Sequence, residues 1–92
     1  MTALAQFLKD PQEVLDYVTD WGSWLGADTI SSSNFTVDDA GITKDSQTNN
    51  TTTATVWLSG GSVGSTYRVR NTIVTAGGRT AERTLEIKVE NR

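Results

Sequence analysis

Carboxylates are the side chains of this sequence best suited to acid–base chemistry. Asp10, Asp16 and Asp20 are spaced by six and four residues. Asp16 and Asp20 therefore share a face in either a strand or a helix, and a pair of acids could cleave a glycosidic bond. No base elsewhere and no pattern of aromatic subsites accompanies them. Solvated strand positions are the simpler interpretation, and a small carbohydrate-active enzyme stays only as a third hypothesis.

Two other groups suggest ion or phosphate binding at first sight. Asp38, Asp39 and Asp45 surround Gly41, but the ordered ligands and closing Glu of a calcium loop are absent. The run Gly60–Ser65 is rich in glycine, yet it lacks the Gly-Lys-Ser/Thr ending of a phosphate loop. Turn chemistry explains both. The sequence thus predicts no catalytic, cofactor-binding or metal site.

Composition excludes several further classes. The chain has 92 residues, no Cys, no His and a net charge of −3. A single domain is expected, without disulfides or thiolate zinc sites, and without the commonest general base and metal ligand. The charge argues against nucleic acid and anionic membranes as partners. Neither a secretory signal nor a membrane-spanning segment is recognisable.

The stretch Ala54–Thr75 shows how the chain is built. Apolar residues alternate on either side of a loop rich in glycine, as is typical of half-buried antiparallel strands. The residues on the buried faces are Ala54, Val56 and Leu58 before the loop, and Tyr67, Val69 and Ile73 after it. Glycine supplies the backbone freedom that the loop requires.

Similar patterns predict the remaining elements. A helical turn at Asp10–Glu13 should precede the first strand. Uneven apolar spacing between Ile30 and Phe35 predicts a β-bulge around Ser31–Asn34. The expected strands cover residues 15–21, 28–37, 42–46, 54–59, 67–75 and 80–90, with 47–53 as an edge strand or a loop. We therefore predict an all-β, immunoglobulin-like antiparallel β-sandwich of six or seven strands at 13–92, preceded by a short N-terminal arm at 1–12.

Tyr67 opens a strand directly after a glycine-containing corner. This placement matches the tyrosine corner of immunoglobulin-like sandwiches, in which the hydroxyl bonds back to the upstream backbone. The alternative is an ordinary core tyrosine.

Five residues are candidates for a partner interface. Alternation directs Trp57 away from the core, close to Arg68 and Arg70 if their strands are neighbours. Trp24 either covers an open end of the core or contacts a partner, and Phe7 lies in the arm. The alternatives are that Trp57 lies over its strand neighbours or under an arginine, and that the arginines pair with Glu82 or Glu86, or bind an acidic surface or a glycan.

Several of these motifs also resemble a known family. They are the run Lys9–Leu25, Asp28-Thr-Ile, Ala54–Gly61, Tyr67, Asn71-x-Ile and Thr75–Thr80. Together they are similar to small tailed-phage proteins, described as fibre-tail adaptors or as virion proteins with an immunoglobulin-like sandwich. The resemblance covers about Lys9 to Val89. Family members tend to have Pro where this chain has Asp38, so that turn is expected to differ.

The resemblance implies a structural virion protein without enzymatic activity, assembled in the cytoplasm of the bacterial host. It offers no catalytic residues. The first hypothesis is an adaptor that connects fibre or neck to tail or connector, in several symmetric copies. The alternative is a protein that decorates a capsid or tube and binds host glycans.

Overall fold

Seven strands and one helical turn make up the computed structural model, which describes residues 4–91. The elements are β1 (Leu4–Lys9), β2 (Leu15–Asp20), α1 (Gly22–Leu25), β3 (Ile30–Val37), β4 (Ile42–Asn49), β5 (Thr53–Gly60), β6 (Thr66–Thr75) and β7 (Thr80–Val89). One sheet has the order β1-β7-β6-β3, and the other has the order β2-β5-β4. The predicted all-β sandwich is confirmed. None of the described helices is long and apolar enough to cross a membrane.

The alternating apolar residues of both sheets meet in one core. In β5, β6 and β7, the three best-patterned strands, the apolar side chains predicted to face inward are buried. The fully buried apolar side chains of these strands are Ala54, Val56, Leu58, Val69, Ile73, Ile87 and Val89. Burial of these faces is the main source of the sandwich's stability, because removing apolar surface from water contributes roughly 25 cal/mol per Å² to the free energy of folding.

Local signals of the sequence are also confirmed. The amide of Asp10 donates to the Glu13 carboxylate, and the Glu13 amide donates to the Asp10 carbonyl, which closes the predicted turn. The register between β3 and β6 shifts between Ile30 and Ser32, where the bulge was expected. Strand β4 extends further than predicted, because the polar run up to Asn49 continues as an edge strand.

Part of the segment assigned to an N-terminal arm forms strand β1 of the four-stranded sheet. Residues Leu4–Lys9 pair with β7, and this pairing is parallel rather than antiparallel. Phe7 packs against the core while Leu8 is exposed. Lys9 is fully buried, and its Nζ donates to the carbonyls of Gly60 (2.7 Å) and Asp10 (2.9 Å). An inward lysine next to an outward leucine inverts the usual strand pattern, so the sequence did not reveal this strand.

The tyrosine corner is confirmed. Tyr67 is buried at the start of β6, and its hydroxyl accepts a hydrogen bond of 2.9 Å from the Ser62 amide. This donor favours the phenolate and lowers the pKa of Tyr67. Gly61 has a φ of 97°, and a Cβ there would lie 2.7 Å from Cγ2 of Val89. The corner therefore requires glycine both for its backbone conformation and for the close approach of Val89.

Replacement of Tyr67 by Phe is expected to lower the free energy of unfolding by about 1 kcal/mol, because one hydrogen bond to the backbone is lost while the ring stays in place. Urea unfolding followed by tryptophan fluorescence measures the change. An unchanged midpoint would mean that water replaces the hydroxyl at no cost, and that the corner depends on the ring alone.

Candidate interaction surfaces

The acidic groups around Gly41 are engaged in the structure rather than gathered into a site. The Asp38 carboxylate lies 2.9 Å from Nε of Arg70, and Asp39 accepts the Arg68 amide. Asp45 accepts the hydroxyl of Ser59. Within residues 4–91 no three acidic side chains come together as a possible metal centre. Turns and ion pairs therefore account for the acidic residues around Gly41.

Arg68 and Arg70 lie on the outer face of the four-stranded sheet. Arg70 contacts Asp38 and, at 3.4 Å, Glu82, and these contacts raise the pKa of its guanidinium. Nε of Arg68 lies 3.9 Å from Glu86 on the neighbouring strand. Cross-strand pairing was the alternative interpretation of these two residues, and the structure shows these pairs. Trp57 belongs to the other sheet, so the condition under which it would lie close to the arginines, that their strands are neighbours, is not met.

Trp57 lies in the central strand of the three-stranded sheet and points away from the core. Its side chain is 40% exposed, between flanking Val56 and Leu58, which are fully buried. Asp16 and Ser46 stand opposite it on the two neighbouring strands. The outward orientation predicted by alternation is therefore observed. Val18 adds a second exposed apolar side chain to the same face, which is otherwise polar.

The end of the sandwich near α1 contains a polar network that the sequence did not reveal. Trp21 is buried, and its Nε1 donates to Oδ1 of Asn71 at 2.8 Å. Asn71, also fully buried, donates in turn to Oγ of Ser33 at 2.8 Å. The Arg83 guanidinium lies 4.2 Å above the Trp21 ring and donates to the Asp20 carbonyl. Both tryptophan and asparagine thus bury polar atoms with their partners in place.

Trp24 belongs to the same end and is half-covered. Its ring meets Trp21 edge to face, with the centroids 5.4 Å apart, and the Arg79 guanidinium lies 4.2 Å from the Trp24 ring centre. Arg79 also donates to the carboxylate of Asp28 and to the carbonyl of Leu25. Leu25 covers the end of the core, while Trp24 is 37% exposed. An arginine-stacked Trp24 is held by its own chain, so its role as a partner contact stays a prediction.

Asp28 joins three segments at this end. Its carboxylate accepts the amides of Thr29 and Gly77 and pairs with Arg79 at 3.1 Å. Hydrogen bonding, first from Thr75 and then from these groups, lowers the pKa of Asp28 to about 2.

Stability is therefore expected to depend on pH through Asp28. Because its folded pKa lies below the unfolded value of about 3.9, the contribution is present above pH 4 and is lost as the pH falls towards about 2. Acid unfolding of the wild type and of Asp28→Asn, followed by circular dichroism, tests this. The variant should lose less stability over that interval, and an equal loss in both chains would assign the acid sensitivity to other carboxylates.

Phe7 lies between the two sheets rather than on a free arm. Its ring centroid is 5.1 Å from that of Tyr17, in an edge-to-face arrangement. This pair closes the seam between β1 and β2 from the inside. The structure thus does not gather the five interface candidates into one surface. Phe7 is in the seam, Trp24 is at one end and Trp57 is on one face, while Arg68 and Arg70 lie together on the opposite face.

The strand order and the tyrosine corner define the class as a small immunoglobulin-like sandwich in which β1 joins the sheet of the third, sixth and seventh strands. Comparison with family models then gives the particular family. The model described as "Podophage GP4 fiber-tail adaptor protein gp77" matches residues 9–88, and the chain belongs to this family of phage fibre-tail adaptors. Membership supports a structural role in the virion. A comparison with curated proteins finds no match.

Proposed function

We propose that the chain is a non-enzymatic adaptor that joins the fibre or neck of the virion to its tail or connector, in several symmetric copies assembled in the host cytoplasm. The outer face of the three-stranded sheet around Trp57 is its main docking surface. Family membership supports the adaptor role. The observation that carries the docking surface is an outward tryptophan in the middle of a sheet face.

Trp57 suits an interface better than the other four candidates. Large aromatic side chains dominate binding when they become fully desolvated, and tryptophan is enriched among such anchors. Trp57 has neighbours with short side chains, Asp16 and Ser46, which leave the ring accessible. By contrast, Arg70 is engaged by carboxylates and Trp24 by Arg79. Repetition around a symmetric tail would multiply a modest contact, because linked sites bind with high effective concentration.

Replacement of Trp57 by Ala is expected to abolish most incorporation into particles while the isolated domain stays folded. An interface anchor contributes about 2 kcal/mol or more to binding, which is at least a thirtyfold loss of affinity, whereas exposed substitutions change stability by less than about 1 kcal/mol. The measurement compares thermal unfolding of the purified chain with its amount in purified particles.

Val63→Ala is the matched control, because Val63 is exposed but lies in the β5–β6 loop. It should leave incorporation unchanged. Unfolding of the Trp57→Ala domain would instead show that Trp57 stabilises the fold, and would count against the docking surface. A particle reconstruction then locates the chain: density along the capsid or the tube, rather than at the fibre or neck, would support the decoration role.

A further inference from the structure

The four sheet edges of the sandwich differ in how they are protected. Edges β3 and β4 face each other across one side, and two side chains of β4 satisfy the backbone of β3 there. Lys44 donates to the Phe35 carbonyl at 2.9 Å, and the Phe35 amide donates to Oε1 of Gln47 at 2.7 Å. Such contacts block the addition of another strand. On the other side, β1 and β2 form the remaining edges.

Strand β2 presents ordered backbone groups along its outer side. The Trp21 amide bonds to the carbonyl of Thr52, its direct cross-strand partner, and the register of β2 with β5 has no irregularity. In an antiparallel pair the hydrogen-bonded positions alternate along the strand. The backbone N–H and C=O groups of every second residue before Trp21 therefore point towards β5. The amides and carbonyls of Asp16 and Val18 therefore point away from the sheet. The Asp20 carbonyl accepts a hydrogen bond from the Arg83 guanidinium, so the part of the edge open to another strand ends at this residue.

The outer side chains of the same segment alternate between apolar and acidic residues. Val14 is 55% exposed and Val18 is 48% exposed, and Asp16 and Asp20 are the exposed acids that follow them. Trp57 stands directly opposite Asp16 on the inner neighbour strand. A strand added to β2 would place its own side chains beside this row, because cross-strand neighbours lie about 5 Å apart.

Charge decides which occupant fits this edge. A second copy of β2 contains no cation to pair with either acid in any register, and with Val18 opposite Val18 it would also bring Asp16 opposite Asp20 twice, where like charges destabilise a sheet. A segment with cations at alternate outward positions and apolar residues between them is complementary instead. An arginine opposite Asp16 can pair with the carboxylate and extend towards the Trp57 ring.

We propose that the β2 edge binds an extended, cationic segment of a partner virion protein by strand addition. The segment has the outward pattern apolar–cation–apolar–cation in register with Val14, Asp16, Val18 and Asp20. Its main chain pairs with Asp16 and Val18, and Trp57 extends the contact across the face. This inference rests on the proposed adaptor function and specifies the chemistry of the partner.

The test uses the purified full chain and the peptide Thr-Val-Thr-Arg-Thr-Val-Thr-Arg-Thr. Titration followed by amide NMR is expected to shift the Asp16 and Val18 signals first and to slow their hydrogen exchange. The corresponding peptide with Glu in place of Arg should bind roughly tenfold more weakly, since each cross-strand charge pair is modest on its own. Added salt should weaken the binding of the arginine peptide, because it screens the attraction between opposite charges.

Two variants make the test specific. Asp16→Lys should abolish the preference, so that the arginine and glutamate peptides bind about equally, because Asp20 still faces the second charged position. Asp45→Lys makes the same charge change on β4, at the protected side of the same sheet, and should leave the preference unchanged. Equal effects of the two variants, or shifts centred on another strand, would overturn the proposal and indicate nonspecific attraction to an acidic chain.

Particle assembly separates this inference from the adaptor role. Normal incorporation of Asp16→Lys, with loss for Trp57→Ala, would reject strand addition at β2 and leave the adaptor function standing. Absence of the wild-type chain from particles would reject the adaptor function itself, whatever the peptide titration shows.

Discussion

Replacement of Trp21 by Ala is expected to lower the free energy of unfolding by about 3–5 kcal/mol, the usual cost of removing a buried tryptophan. Trp21 is 1% exposed, so its removal leaves a large cavity between the sheets. The substitution also deprives the buried Asn71 amide oxygen of its donor, and an unpaired buried polar group costs a further 1–3 kcal/mol or so. Since a small domain has only about 5–10 kcal/mol in total, a sizeable unfolded population should be detectable at 37 °C.

Trp24→Ala is the matched control for this prediction. Trp24 lies three residues further along, in the helical turn that follows Trp21, but it is 37% exposed, and its ring meets Trp21 edge to face and the Arg79 guanidinium near the surface. Its loss should cost about 1 kcal/mol. Urea unfolding of both variants, followed by circular dichroism, measures the difference. Similar midpoints would show that the Trp21–Asn71 network does not anchor this end of the sandwich.

Leu58→Ala is expected to cost about 2–5 kcal/mol. Leu58 has no exposed surface and lies in the central strand of its sheet, with Leu15 and Lys44 as cross-strand partners. The strands on both sides are rigid and cannot easily move in to fill the cavity that the substitution leaves. The loss in free energy of unfolding should therefore be well above that of Tyr67→Phe.

The comparison uses equilibrium urea unfolding of both variants, with the slope of the transition checked for two-state behaviour. Val63→Ala, an exposed aliphatic truncation in the β5–β6 loop, should leave the midpoint nearly unchanged. Equal midpoints for Leu58→Ala and Tyr67→Phe would contradict the assignment of Leu58 to the centre of the core.

Much of the fold was predictable because its signals are local. Alternation along β5, β6 and β7 determined which side chains are buried, and it therefore oriented Trp57 outward without any knowledge of its neighbours. The corner before Tyr67 and the bulge after Ile30 were also predictable from the sequence, because the conformation of a turn or bulge depends on a few adjacent residues.

Strand order was decided only by the tertiary structure. Alternation gives the face on which a side chain lies, but not the sheet to which its strand belongs, because sheet order depends on contacts distant in sequence. For this reason the sequence could not tell that Trp57 and Arg70 occupy opposite outer faces. The buried Lys9 and Asn71 were hidden for a related reason: each is stabilised inside by partners far along the chain, Gly60 in one case and Trp21 in the other.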